Sequence, residues 1–232
     1  MLAVINIRRS KKLQIMKISS WLIKKILLVI CLCIGSVSLA QRVDNKQNKR
    51  ADAELLGKAL DYFSSQKYHE SLLLLQDLDK KYRLNPRYKA YLGVCYYYEW
   101  DYEKAVKNLS IAIPQLINFS PQERSFYYWA EGESYFNLQA YQKAIPSYLS
   151  MLPLCHANEK ADAYYRLGFC YMFLEDWGNA WVYFRQASKE YTEHRDEEEV
   201  KVRLRQISNM LKGIEPKVAM QISKNMHLFN RP

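Results

Sequence analysis

The residues able to do covalent or metal chemistry are few and dispersed. The histidines, His69, His156, His194 and His227, show no HExxH or comparable ligand spacing. No GxSxG, GxGxxG or phosphate-loop sequence occurs. Of the seven glycines, Gly93, Gly132 and Gly168 belong to a recurring helical pattern, so few remain for a catalytic loop. The acidic run Glu197-Glu198-Glu199 reads as a solvated helix start, not a metal site. The sequence predicts no active site, no metal and no cofactor.

What the chain does carry is periodicity. Over Ala163–Ala187, one helix bears Tyr164, Leu167, Gly168 and Tyr171 at helical spacing. A turn follows at Leu174-Glu175-Asp176-Trp177, and a second helix bears Ala180, Phe184 and Ala187. A glycine inside a helix costs about 1 kcal/mol relative to alanine, a cost accepted where a neighbour leaves no room for a side chain. The arrangement recurs. Leu92-Gly93-x-x-Tyr96 precedes Asp101-Tyr102 and Ala105-x-x-x-Leu109. Gly132-x-x-Tyr135 precedes Ala140-Tyr141 and Ala144-x-x-x-Tyr148. Ala59-x-x-Tyr62 precedes Lys67-Tyr68 and Ser71-x-x-x-Leu75. The small residues Ala59, Gly93, Gly132 and Gly168 are separated by 34, 39 and 36 positions.

A joint pattern of this kind with a period near 34 resembles the tetratricopeptide repeat, over roughly residues 52–188. The resemblance implies an all-α, right-handed solenoid of about four helix–turn–helix units, closed by a C-terminal capping helix. Scarce strand signals and nineteen tyrosines, which would fill the space between layers, suit that class. The first unit is the least faithful, with Lys58 where the family places leucine and Ser71 where it places alanine. End units of repeat arrays are commonly atypical.

The formal charge of +10 would suggest a nucleic-acid partner, but its location argues otherwise. Residues 1–40 hold seven basic side chains and no acid, which leaves 27 basic against 24 acidic residues in the remainder. That N-terminal region reads as a secretory signal peptide. Lys24-Lys25 precede the apolar run Ile26–Ile34, and Ser38-Leu39-Ala40 place small residues before a predicted cleavage at Ala40–Gln41. The run is shorter than the roughly 20 residues a membrane-spanning helix needs. Met16 is an alternative start. Lipidation at Cys31 or Cys33 is disfavoured, because Ile30 and Leu32 stand where a small residue is required.

Residues 41–51 read as a polar linker, 52–188 as the array, 189–213 as the capping helix region and 214–232 as a tail of weak signals. Asn85-Pro86 and Ser120-Pro121-Gln122-Glu123 are helix starts, the second a capping box. Val200, Leu204, Ile207 and Leu211 form one helix face, with Gly213 as the expected C-terminal stop. Beyond the leader, Cys95 and Cys170 occupy equivalent places two units apart. Helix layers are about 8–10 Å apart, beyond the roughly 7 Å limit for a disulfide, so both read as core. A Cys155–Cys170 pairing stays open.

In tetratricopeptide arrays the inner wall is formed by the first helix of each unit. Helical spacing places Leu56, Leu60, Phe63 and Ser64 there from the first unit. The second supplies Arg87, Ala90, Val94, Tyr97 and Tyr98. The third gives Phe126, Trp129, Glu133, Phe136 and Asn137. The fourth gives Asp162, Tyr165, Phe169, Met172 and Phe173. Family members that clamp a peptide C-terminus use lysine and asparagine on this wall, and those are nearly missing here. The wall is aromatic, a composition enriched at interfaces.

The expected partner-binding groove is therefore Phe63, Tyr97, Tyr98, Phe126, Trp129, Glu133, Phe136, Tyr165, Phe169 and Phe173. The expected role is an exported, periplasmic or secreted scaffold that binds a protein or peptide. No nucleic acid and no integral membrane segment after cleavage are expected, though peripheral outer-membrane association is compatible with this reading. Two alternatives share the composition: a glycan-binding module and a subunit of an outer-membrane assembly complex.

Overall fold

The computed structural model describes residues 47–194 and 198–229. The expected signal peptide and residues 41–46 of the expected linker lie outside the described residues. The chain divides into two units, residues 1–55 and 56–232. In the first, residues 47–55 are helical, so the linker expectation fails over 47–51. Lys49, Arg50 and Ala51 are good helix formers, and no glycine or proline interrupts them.

Every regular element among the described residues is helical. After α1 (47–64) come α2 (Tyr68–Tyr82), α3 (Pro86–Tyr98), α4 (Tyr102–Ala112), α5 (Pro121–Asn137), α6 (Tyr141–Met151), α7 (Ala157–Phe173), α8 (Trp177–His194) and α9 (Glu198–Phe229). A 3₁₀ turn at Ile113–Gln115 extends α4. Consecutive helices from α2 to α9 pack side by side, the tightest pairs being α3/α4, α5/α6 and α7/α8.

The seam inside each pair is set by the small residues. A Cβ on Gly93 would come within 2.7 Å of Leu109 Cγ. On Gly132 it would meet the Tyr148 ring at 2.8 Å, and on Gly168 the Phe184 ring at 2.6 Å. Each small residue thus receives the large core residue of its partner helix. Leu109, Tyr148 and Phe184 are completely buried, each burial being worth roughly 1.5–3 kcal/mol. In the first pair, buried Ala59 and Leu75 take the corresponding places, and Ser71 Oγ donates to the Ala59 carbonyl at 2.9 Å. Serine where the family places alanine is therefore satisfied.

The turns are equally regular. Gln66, Trp100, Gln139 and Glu175 all adopt left-handed backbone, with φ between 57° and 61°. The amide of the next residue returns to the carbonyl of Tyr62, Tyr96, Tyr135 or Tyr171, closing the end of the first helix. Asn85 caps α3 and Ser120 caps α5, each accepting an amide hydrogen bond. The capping box at Ser120 is only half formed, because Glu123 turns away to other partners described below.

α9 departs from expectation. It does not stop at Gly213 but continues through Pro216 to Phe229. Gly213 is not left-handed. Buried Val200, Ile207 and Ile214 carry one stripe along the helix. The stripe extends to Gln221, which accepts the Gly178 amide at 3.1 Å, while Lys217 Nζ lies 3.9 Å from the centre of the Trp177 ring. Packing against α8 outweighs the local stop signal.

Candidate functional site

Polar contacts that spacing alone did not reveal join α3, α5, α7 and α9. At three successive junctions an arginine of one repeat pairs with a carboxylate of its neighbour, Arg87 reaching forward along the chain and Arg166 and Arg203 reaching back. Arg87 of α3 grips Glu123 of α5 through Nε (2.8 Å) and Nη2 (3.1 Å). Arg166 of α7 grips Glu133 of α5 through Nε and Nη2, both at 2.7 Å. Arg203 of α9 donates to Asp162 of α7. Each carboxylate also accepts a tyrosine hydroxyl: Tyr127 to Glu123, Tyr148 to Glu133, and Tyr191 to Asp162.

Each guanidinium lies over aromatic rings. Arg87 covers Tyr91 and Phe119, Arg166 covers Phe136 at 4.7 Å, and Arg203 covers Tyr165 and Tyr191. In the Arg87 and Arg166 pairs, bidentate geometry, a third hydrogen bond and a π-face together answer the desolvation that would otherwise make such pairs costly. Burial alone would depress the Arg166 guanidinium, but Glu133 reverses that and keeps it charged. The hydroxyls of Tyr127 and Tyr148 are pushed well up, first by burial and then by their carboxylate partners.

These contacts sort the ten expected groove residues. Glu133, expected at the groove surface, is 4% exposed and spent on Arg166 and Tyr148, so it belongs to the framework. Tyr165 is 9% exposed because α9 covers it, its hydroxyl donating to Gln206 Oε1 at 2.8 Å. The remaining aromatics stay partly or substantially accessible. Tyr98 is 42% and Phe173 48% exposed, while Phe63, Tyr97, Phe126, Trp129, Phe136 and Phe169 are half-buried.

The rings support one another. Phe173 stacks on Tyr141 with centroids 4.7 Å apart and approaches Phe136 and Phe169. Tyr98 lies flat against Tyr68 at 3.9 Å and edge-on to Tyr97. Phe63 stacks on Tyr91 at 4.3 Å. Side chains so braced lose little rotamer freedom on contact with a partner.

Between α5 and α7 the wall opens into a cavity of about 320 Å³, lined by Gln122, Ser125, Phe126, Trp129, Met151, Glu159 and Asp162. Phe126 and Trp129 belong to the expected groove; Arg166, Arg203 and Glu159 do not. The readable signal for Arg87 and Arg166 is an acidic residue on a wall helix about one repeat away.

Among the described residues, no group of three or more His, Cys, Asp or Glu side chains is placed to hold a metal ion. Cys95, Cys155 and Cys170 are free, so the open Cys155–Cys170 pairing does not form. Cys95 and Cys170 are buried, and burial pushes both thiols up to about 12. Such thiols are inert at neutral pH. No helix among the described residues is long and apolar enough to cross a membrane.

No protein-family model and no curated protein sequence matches the chain. Solved structures do. MamA 41-end from Desulfovibrio magneticus RS-1 is 19% identical, with 76% of this chain and 94% of that one covered and a TM-score of 0.54. MamA AMB-1 is 14% identical, with 78% and 94% covered and a TM-score of 0.55. The apo form of RapI is 13% identical, with 75% of this chain but 50% of RapI covered and a TM-score of 0.54. MamA and RapI are tetratricopeptide-like helical repeat proteins. At these identities the likeness is one of fold, and it agrees with the paired helices, glycine seam and left-handed turns. The fold is a tetratricopeptide-type α-solenoid.

Proposed function

We propose that this tetratricopeptide-type solenoid is an exported scaffold whose inner wall binds a protein or peptide partner by apolar burial and shape. The observation that carries the reading is the set of braced but accessible rings on that wall, with Tyr98 and Phe173 the most open. Covering a few such side chains yields roughly 1.5–3 kcal/mol each, enough in sum to anchor a segment. The folds it resembles are those of repeat scaffolds, which supports a protein-interaction role at that coarse level. Export rests on the basic, apolar and small-residue order of residues 1–40.

Site-specific photocrosslinking in cells tests the reading. A crosslinker at Phe173 or Trp129 is expected to trap a discrete protein partner. One at Val182, exposed on α8, is not expected to trap it. Phe173→Ala should weaken capture about tenfold, in line with losing an anchor of more than about 1 kcal/mol, with little change in melting temperature. Equal crosslinking from α8 and from the wall would refute the groove. For export, a mature N-terminus other than Gln41 would refute the cleavage site.

A further inference from the structure

The three arginine–carboxylate junctions share one recipe, a guanidinium lying over an aromatic ring and held by a carboxylate. Arg87 with Glu123, Arg166 with Glu133, and Arg203 with Asp162 all satisfy it from within the chain. The cavity between α5 and α7 has the same ingredients. Phe126 and Trp129 supply π-faces and Glu159 a carboxylate, with Asp162 at its edge. Among the described residues no lysine or arginine lines it, and none lies over the Phe126 or Trp129 ring. Gln122 and Ser125 add polar, uncharged lining.

We propose that this cavity receives an arginine side chain of the partner segment. The proposal rests on the groove reading above and specifies the partner's chemistry. Charge complementarity selects the occupant. Indole is the best π-partner for a cation, and a planar guanidinium can stack on a ring while its edge donates to a carboxylate. Glu159 is already oriented, because its Oε2 accepts the His156 amide at 2.8 Å. The volume, about 320 Å³, is at the lower end of small-ligand pockets and has room for one long side chain. Asp162 is engaged by Arg203 and Tyr191, so it contributes field at the edge, and Glu159 is the direct acceptor.

The test pans a library of random short peptides against the full-length purified protein and against Glu159→Gln. Glutamine keeps an oxygen for the His156 amide and removes the charge. Wild-type selections should share an arginine beside apolar residues, and that preference should vanish with Glu159→Gln. A synthetic peptide from the selection should lose about tenfold or more in affinity when its arginine becomes citrulline, one charge-assisted contact being worth about that much. That loss should disappear in the variant. Selected peptides that need Trp129 but show no basic preference would overturn the arginine assignment and leave the groove standing. Retention of the arginine preference by Glu159→Gln would also overturn it. If no peptide is selected, the groove reading and this one fall together.

Discussion

Replacing Gly168 by alanine puts the helix seam under direct test. Alanine in a helix interior is favoured over glycine by about 0.8–1.0 kcal/mol, so propensity alone predicts a more stable protein. The new Cβ, however, would meet Phe184 Cδ1 at 2.6 Å, Cε1 at 2.7 Å and Cγ at 2.9 Å. These are atoms of one rigid ring, fully buried, with the Phe169 ring edge-on at 5.1 Å and Tyr165 at 6.2 Å. The ring cannot retreat without moving its neighbours. Overpacking of this kind costs about 1–3 kcal/mol, and the blocked exit argues for the upper part of that range. The net expectation is a loss of about 1–2 kcal/mol after the propensity gain is subtracted.

Gly213 is the internal control. It lies inside α9 without a left-handed φ, and a Cβ added there would meet nothing within 4 Å, so only the propensity difference applies. Gly213→Ala should therefore stabilise by up to about 1 kcal/mol. Thermal and urea unfolding of the purified variants read both signs. For a chain of this size 1 kcal/mol moves the melting temperature by about 2–4 °C. Adding Phe184→Leu to Gly168→Ala should recover part of the seam strain. A Gly168→Ala protein as stable as wild type, or stabilised like Gly213→Ala, would refute the claim that close approach selects glycine here.

Three further outcomes follow from buried polar groups. Glu131 is buried in α5 and accepts from Ser147 Oγ at 2.9 Å; burial raises its carboxyl, with the serine bond opposing. A folded-state value above the unfolded one means the folded chain holds the extra proton, so stability falls as pH rises above about 4.3 toward the raised value. Glu131→Gln should be more stable than wild type at neutral pH, with the advantage fading below about pH 4 in melts across pH. Arg166→Leu should cost about 3 kcal/mol, because Glu133 is left buried with one hydroxyl partner. Replacing both residues by leucine should cost less than the single change, and chemical denaturation of both variants decides it. Alkylation of the native protein followed by peptide mapping should modify the half-buried Cys155 well before Cys95 or Cys170, whose buried thiols titrate near 12.

The repeat itself was legible because it is local. Gly132-x-x-Tyr135 and Ala144-x-x-x-Tyr148 lie in one pair of helices, and their spacing encodes which faces meet. Ser120-Pro121 and Asn85-Pro86 marked helix starts for equally local reasons, since a cap acts on amides a few residues away. The turn at Leu174–Trp177 was readable too, although no glycine marks its left-handed residue, Glu175. Phe126 and Trp129 could be assigned to one face of α5 because helical period alone decides it.

Sequence by itself thus determined the helical pairs, their seam and the aromatic character of the wall. Tertiary structure decided which wall residues remain available. Glu133 is removed by Arg166, 33 positions later, and Tyr165 by Gln206, 41 positions later. Those separations join different repeats, so they depend on how units stack, which no periodicity within a unit contains. The same holds for α9. Gly213 is a fair stop signal for an isolated helix, but a propensity of about 1 kcal/mol is outweighed where Ile214 and Gln221 find partners on α8. Local energies wrote the repeat, and contacts between repeats chose what it can touch.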